Sequence, residues 1–444
     1  GPWYLRAFAL YVALFFGLQV LPVVLGLRFA EFLAFGGLIL LRLQGKVLLG
    51  ASGLQPSAAE RQLAALDDEA VTPALARAVA ALHAAIDDPD RAPSVAALDL
   101  LYRERDAIED PEESLLHEAV ERAIASPDAI SPGDRERIRN EMGWFGRVLL
   151  THRAPPDDPE RREIMGDAFR ATLAVTGVLF AGAAGVLVGI VLWVIAIGQR
   201  NAGRLHLAFE PPTEHGPWYL RAFALYVALF FGLQVLPVVL GVRFAEFLAF
   251  GGLILSSVVG VVWPMVRGVP AGRVRHDLGL HRGRGVFREI ASGVAGYAAV
   301  LPIFAVGFLA TLALMALWSA IAPTESGGPV SHPVIEMIAE GDVAVRLTML
   351  FLAAGFAPFF EETLFRGALY GDLRRRLGPL ASGLLMGTLF AAIHPQGLLT
   401  VPALAALALG FALLREWRGS LIAPMVAHAI HNGTLIGLTW FLLV

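Results

Sequence analysis

Stretches of about 20 apolar residues recur along this chain, and that is the length an α-helix needs to cross a bilayer. Only 17% of the residues are charged, whereas a soluble domain has about 25%. A segment surrounded by lipid must satisfy its own backbone hydrogen bonds, and a helix does so internally. The sequence therefore predicts an all-α fold, a polytopic transmembrane helical bundle of an integral, multi-pass membrane protein. We place the spans near 168–198, 218–241, 244–266, 289–321, 344–376, 379–395, 397–414 and 419–443.

One part of the chain does not fit this pattern. Residues 51–170 contain 25 acidic and 14 basic residues, so this part faces water. The pairs Thr72-Pro73 and Ser131-Pro132 are residue types that begin helices. We predict a soluble α-helical insert over 42–167. Two interpretations of the insert stay open, namely a module that binds a protein partner or presents substrate, and a solvated insert with neither role.

A long repeat links two distant parts of the sequence. Residues 1–40 repeat residues 216–255 at every position except Leu27, which corresponds to Val242. Solenoid repeats have short periods and diverged sequences, so this near identity indicates a recent duplication or a chimeric gene. The second copy continues into a further apolar run, whereas the first soon meets Arg42. We therefore interpret 1–41 as a duplicated transmembrane segment, truncated or artefactual, and 168–266 as accessory transmembrane helices.

Arginines between the predicted spans indicate which way the bundle faces. If the spans alternate as placed, all the arginine clusters fall on one side, and positive residues mark the cytoplasmic side. The acidic segments 51–167 and 322–343 would then face outward. The clusters are Arg200 with Arg204; Arg267, Arg273, Arg275, Arg282, Arg284 and Arg288; Arg374 to Arg376; and Arg415 with Arg418.

Ionisable residues inside spanning helices are costly to bury and are therefore candidates for function. The turns at 377–379 and 417–419 reverse the chain, so clusters on successive helices reach a similar depth, roughly 16–24 Å from the same helix ends at 1.5 Å per residue. We expect the polar groups of Glu361, His394, His428 and Asn432 to converge within about one water's reach of each other. Three such clusters follow one another here: Glu361 and Glu362 with Arg366; Phe390 with His394; and His428 with Asn432.

Helical phase separates the two glutamates. Glu362 and Arg366 are one turn apart and can pair on one face, whereas Glu361 points about 100° away. A proline lies near each motif, and proline bends a helix and frees carbonyl groups, which a buried cavity tolerates better than a lipid-facing surface. These prolines are Pro358, Pro395 and Pro424.

The three motifs resemble those of the CPBP family of CAAX proteases and bacteriocin-processing enzymes, which includes the type II CAAX prenyl endopeptidases. That family has Glu-Glu-x-x-x-Arg, Phe-x-x-x-His and His-x-x-x-Asn motifs, all present here in order. The segment from Asp277 to Gly285 is also similar to the family's link into its first core helix. The resemblance covers about 267–444, which we take as the protease core, and it implies a glutamate-dependent intramembrane endopeptidase.

The resemblance also implies a role for each residue. Glu361 would activate a water as general base, and His394 would hold that water from the other side. His428 and Asn432 would stabilise the oxyanion of the tetrahedral intermediate. Glu362, Arg366 and Phe390 would support these groups.

Other functions remain open at this stage. A zinc-dependent membrane protease is one alternative, although no His-Glu-x-x-His is present. A non-catalytic scaffold or immunity protein that keeps the fold is another, whereas a transporter would require an inverted repeat within the core. We expect no cofactor, no metal and no nucleic-acid partner. The expected partners are the lipid bilayer and a membrane-associated protein or peptide substrate, and the expected location is a bacterial cell membrane.

Overall fold

The computed structural model describes residues 42, 44–50, 52, 73–86, 94–108, 110–212, 216–239, 245–321, 337–339, 341–394 and 397–443. The predicted segment 1–41 and Pro395 lie outside these described residues. Helices make up almost all of the regular structure, and no strand occurs among the described residues. The predicted all-α polytopic bundle is therefore confirmed.

The helices vary widely in length. Short 3₁₀ turns at Arg105–Ala107, Pro127–Ala129 and Leu398–Thr400 connect some of them. In chain order, the helices within the described residues are α1 Pro73–Ile86, α2 Val95–Glu104, α3 Pro111–Ala125, α4 Pro132–Thr151, α5 Pro159–Asn201, α6 Gly216–Val239, α7 Ala245–Val266, α8 Ala271–Leu278, α9 Val286–Ile321, α10 Val343–Leu373, α11 Pro379–Ala392, α12 Val401–Arg418 and α13 Ile422–Leu443.

Five stretches of the described residues are long and apolar enough to cross a membrane: Pro159–Asn201, Val286–Trp318, Val343–Leu373, Leu398–Arg418 and Ile422–Leu443. Each overlaps a predicted span. The predicted span 379–395 differs, because α11 has only 14 residues and is about 21 Å long at 1.5 Å per residue. His394 therefore lies beyond the end of a helix and not inside it.

Within the predicted insert, the described residues between Pro73 and Thr151 form several short helices. They belong to a compact unit that contains the described residues within Gly26–Phe180, Thr324–Arg346 and Gly437–Val444. Apolar residues of α1 to α4 form one core, in which Leu82, Leu100 and Ile138 are fully buried. Ser131 caps α4 by accepting a hydrogen bond from the Asp134 backbone N–H at 3.0 Å, as its position before a proline predicted.

The boundary predicted at 167 falls inside a single helix. The 43-residue α5 begins at Pro159 and continues through Phe180, the last residue that this stretch contributes to the first unit. The Asp158 side chain accepts from the Arg161 backbone N–H at 2.8 Å, which satisfies an end group of the helix. Whether the insert binds a partner stays a prediction.

The second compact unit contains the described residues within Ala181–Pro323 and Leu347–Ile436. Within it, α12 packs against both α9 and α11. Small residues allow this close approach: a Cβ at Gly387 would lie 2.7 Å from the Ala405 carbonyl oxygen, and one at Gly410 would lie 2.5 Å from Val300. Tight packing through small residues is the usual way in which helices associate inside a bilayer.

Some of the arginines predicted to anchor the cytoplasmic side are buried in ion pairs. Arg418 binds both carboxylate oxygens of Glu289, at 2.7 and 2.9 Å, and both side chains are nearly inaccessible. Glu416 accepts a hydrogen bond from the Tyr370 hydroxyl at 2.7 Å and pairs with Arg374. These contacts fix the ends of α9, α10 and α12 to one another, while the orientation in the membrane stays a prediction.

Candidate active site

The helix that carries the two glutamates is irregular on both sides of Glu361. In α10, residues Leu352–Phe356 and Glu362–Leu369 adopt π-helical spacing, separated by the α-helical segment Ala357–Glu361. π-Helical turns are rare and often lie at functional sites. Pro358 contributes to the irregularity, since it removes a backbone donor from the helix.

The two glutamates differ in their access to solvent. The Glu361 side chain is 25% exposed, whereas that of Glu362 is 0% exposed. The Oε2 atom of Glu361 has no hydrogen-bond partner among the described residues. Of the two glutamates, only Glu361 has side-chain surface that an incoming water or substrate can reach, although its Oε2 atom is itself buried.

Glu362 forms the ion pair that its spacing predicted. Arg366 Nη1 lies 3.0 Å from Glu362 Oε1, and both side chains are fully buried. The guanidinium of Arg366 also donates to the Ala408 carbonyl at 3.2 Å. It lies over the rings of Phe390 and Phe411, at 4.9 and 5.3 Å, where a desolvated cation is stabilised by the ring electrons.

His428 bridges the two glutamates, and its contact with Glu362 was not among the sequence predictions. Its Nδ1 lies 2.9 Å from Glu362 Oε1, and its Nε2 lies 3.8 Å from Glu361 Oε2. The Phe411 ring stacks on the imidazole at 5.2 Å. Because a carboxylate only accepts, Nδ1 donates to Glu362, and the opposite nitrogen faces Glu361.

His394 is held just beyond the C-terminus of α11. Its Nδ1 donates to the Phe390 carbonyl at 2.6 Å, which assigns the proton to Nδ1 in the neutral ring. The Phe390 ring lies 4.3 Å from the His394 ring and 6.3 Å from that of His428. Phe390 thus contacts His394 on one side and lies near His428 and Arg366 on the other.

Asn432 directs its amide to the backbone of the glutamate helix. Its Nδ2 donates to the Ala353 carbonyl at 2.9 Å, within the first π-helical segment. His428 and Asn432 are one turn apart on α13, so the two side chains connect α13 to α10 at successive turns. The first connection reaches Glu362, and the second reaches Ala353.

A neighbouring pair lies outside the three motifs. His431 is buried, and its Nδ1 lies 3.1 Å from the Tyr297 hydroxyl of α9. The Phe304 ring meets the same imidazole edge to face at 5.4 Å. No local pattern in the sequence indicated Tyr297, because a single tyrosine in an apolar helix does not reveal what it faces.

The structure thus brings Glu361, Glu362, Arg366 and His428 into direct contact distance, with Phe390 beside them. His394 joins this group through Phe390, and Asn432 joins it through the backbone of α10. A carboxylate that is partly accessible, next to an oriented imidazole in an apolar surrounding, can accept a proton from water. Among the described residues, no group of three or more histidine or acidic side chains is placed to hold a metal ion.

Comparison with known families gave a match that covers the three motifs. Residues 343–434 match the family described as type II CAAX prenyl endopeptidase Rce1-like. The match confirms the resemblance drawn from the three motifs, all of which lie within it, although it is shorter than the predicted core of 267–444. It supports a CAAX-type intramembrane protease in general. Comparison with curated proteins and with solved structures gave no match.

Proposed function

We propose that this chain, whose residues 343–434 are Rce1-like, is a glutamate-dependent endopeptidase that hydrolyses a peptide bond of a membrane-associated protein. The observation that carries the proposal is the bridge formed by His428 between Glu362, which is fully buried, and Glu361, which is partly accessible. In this arrangement Glu361 can exchange protons with water, whereas Glu362 only orients the histidine. A general base in a buried site needs such a carboxylate together with groups that hold its neighbours in place.

In the proposed reaction, Glu361 takes a proton from a water held on its other side by His394. The water oxygen then attacks the substrate carbonyl carbon, and the carbonyl oxygen becomes an oxyanion. When the C–N bond breaks, Glu361 returns its proton to the leaving amine. No group besides these is needed to balance protons and electrons.

The oxyanion would accept hydrogen bonds from His428 Nε2–H and Asn432. For Nε2 to donate while Nδ1 donates to Glu362, the imidazole must carry both protons. The resulting cluster has two carboxylates opposed by Arg366 and the imidazolium, so its formal charge balances. A neutral cluster lowers the cost of holding charges away from water, and oriented donors in such a site stabilise an oxyanion strongly.

The chain is an integral membrane protein, and its proposed substrate is bound to or inserted in the same bilayer. We further propose a bacterial cell membrane as its location, in line with the resemblance to bacteriocin-processing enzymes. Substrates without a prenyl group fit this setting. Cofactors are not part of the proposed reaction.

The proposed function is tested by comparing the membrane proteomes of wild-type cells and cells that carry Glu361→Ala. We expect at least one membrane protein to accumulate in an uncut form in the variant strain and to be cut in the wild type. A scaffold or immunity protein would keep its cellular phenotype after this substitution. Identical proteomes together with an unchanged phenotype would favour the scaffold and contradict the protease.

A cleavage assay with the purified protein distinguishes the proposed mechanism from the zinc-dependent alternative. Cleavage of the protein found uncut in that comparison should be insensitive to a metal chelator, because the proposed reaction uses only side chains. Activity that is lost with the chelator and restored by zinc would favour the metal-dependent mechanism.

The repeat allows a test with twin substitutions. Phe223 of the second copy is buried and meets the Phe365 ring edge to face at 5.0 Å, directly beside Arg366. Phe8 is the corresponding residue of the first copy. We expect Phe223→Ala to lower the free energy of unfolding by roughly 3–5 kcal/mol, as for other buried phenylalanines, and Phe8→Ala to leave it unchanged. Melting in detergent measures both.

Deletion of 1–41 extends the same comparison and should leave cleavage within a few-fold of wild type. If Phe8→Ala destabilises the protein as much as Phe223→Ala, or if the deletion abolishes cleavage, the first copy is a working part of the fold.

A further inference from the structure

The hydrogen bond between Asn432 and Ala353 has a cause in the sequence of α10. At the end of the first π-helical segment, the Ala357 N–H donates to the Leu352 carbonyl, five residues back. With the same spacing, the donor for the Ala353 carbonyl would be residue 358. That residue is proline, which has no N–H. The α-helical alternative, Ala357, already donates to Leu352.

The Ala353 carbonyl, which is partly buried, is therefore deprived of its helical donor, and a carbonyl shielded from water without a donor is costly. Asn432 supplies the missing donor at 2.9 Å. This bond also fixes which way the amide faces. Since the Ala353 oxygen can only accept, the Nδ2 end must point toward it and the Oδ1 end away from it.

We infer that Pro358 is a positioning residue for Asn432: by removing one backbone donor, it leaves an acceptor that orients the Asn432 amide. An amide nitrogen carries two hydrogens. One is held by Ala353, and the second remains for the oxyanion in the reaction. The inference rests on the proposed function for this last step, whereas the orienting contact itself does not depend on it.

The same acceptor fixes α13 relative to α10. His428 and Asn432 are separated by one helical turn, and each donates to a different part of α10. Two hydrogen bonds at successive turns restrain both the rotation and the translation of α13. If the bond from Asn432 is lost, the bond from His428 to Glu362 is the remaining one of the two. The position of the His428 ring relative to Glu361 then becomes less exact.

Pro358→Ala tests the inference with a variant that should fold, because alanine restores a backbone donor and is favourable in a helix. The new N–H can bind the Ala353 carbonyl and compete with Asn432. We expect kcat to fall about tenfold with KM within twofold, measured on the membrane protein that accumulates uncut in the Glu361→Ala strain. Asn432→Ala alone should lower kcat by about 10²–10³-fold, as for loss of an oxyanion donor. Pro379→Ala is the matched control, since Pro379 begins α11, where a missing N–H leaves no helical bond unmade.

The decisive measurement is the double variant. If Pro358 acts through Asn432, adding Pro358→Ala to Asn432→Ala should not lower kcat further. An equal tenfold loss in both backgrounds would overturn the inference, as would a kcat unchanged by Pro358→Ala.

Thermal melting of the same four proteins in detergent tests the contact without any substrate. Asn432→Ala should lower Tm by several degrees in the presence of Pro358, because the Ala353 carbonyl is left unsatisfied. It should lower Tm much less in the Pro358→Ala background, where the new N–H takes its place. Equal losses in the two backgrounds would show that Pro358 and Asn432 are not coupled.

If Glu361→Gln keeps full activity, the proposed function fails, while this melting result still decides the orienting role of Pro358.

Discussion

Glu361→Gln is expected to abolish turnover and to leave the folded protein intact. The amide keeps the shape of the carboxyl group but cannot take a proton from water. Glu361 is not an ion-pair partner of Arg366 in this structure, and its Oε2, 3.8 Å from His428 Nε2, has no hydrogen-bond partner among the described residues, so Glu361→Gln should cost less stability than Glu362→Gln. Loss of the general base should reduce kcat by at least about 10²-fold. Cleavage assays and melting of the purified variant in detergent measure the two effects separately.

Asn432→Ala provides a comparison within the same site, because it should slow the reaction and also lower Tm. A Glu361→Gln variant that cleaves at the wild-type rate would remove Glu361 from the reaction. A variant that is both inactive and unfolded would show that the carboxylate is needed for structure, contrary to this expectation.

Glu362→Gln is expected to lower both stability and turnover. Glu362 accepts from His428 and pairs with Arg366, and removing its charge leaves a buried guanidinium without its counterion. Breaking a buried ion pair costs roughly 3–5 kcal/mol. Turnover should fall as well, because the doubly protonated His428 that the proposed reaction uses loses the carboxylate that stabilises it.

Glu289→Gln is the matched control for this prediction. Glu289 is also 0% exposed and is bound by the arginine Arg418, but it contacts none of the candidate catalytic residues among the contacts described. Glu289→Gln should lower the stability of the protein about as much as Glu362→Gln does. The folded fraction of the Glu289→Gln protein should keep its specific activity. A Glu362→Gln protein that is inactive yet fully stable would mean that Glu362, and not Glu361, is the base.

Much of the candidate site could be predicted from the sequence because its parts are local. The i, i+4 spacing of Glu362 and Arg366 places both side chains on one face of a helix, and in the structure Arg366 Nη1 lies 3.0 Å from Glu362 Oε1. The turns before Pro379 and after Arg418 were visible as proline and glycine signals, and α11 begins and α12 ends there. The orientation in the membrane and the catalytic roles of the residues remain predictions.

Other details depended on contacts that no local pattern encodes. The sequence predicted His394 inside a span, whereas α11 ends at Ala392. It paired Glu362 with Arg366, whereas His428 also binds Glu362. It indicated neither the π-helical turns around Glu361 nor the partner of Asn432, since these depend on how one proline-containing helix packs against another.

By itself, the sequence determined the helical class, the membrane setting and the identity of the motif residues, because hydrophobic length and helical periodicity act over a few turns. Only the tertiary structure decided that His428 lies between the two glutamates and that Asn432 donates a hydrogen bond to the Ala353 carbonyl of α10. The physical reason is that α10 and α13 are joined through two intervening helices. Their relative rotation and depth are set by packing across the bundle, and a shift of one residue on either helix would turn His428 about 100° away from the glutamates.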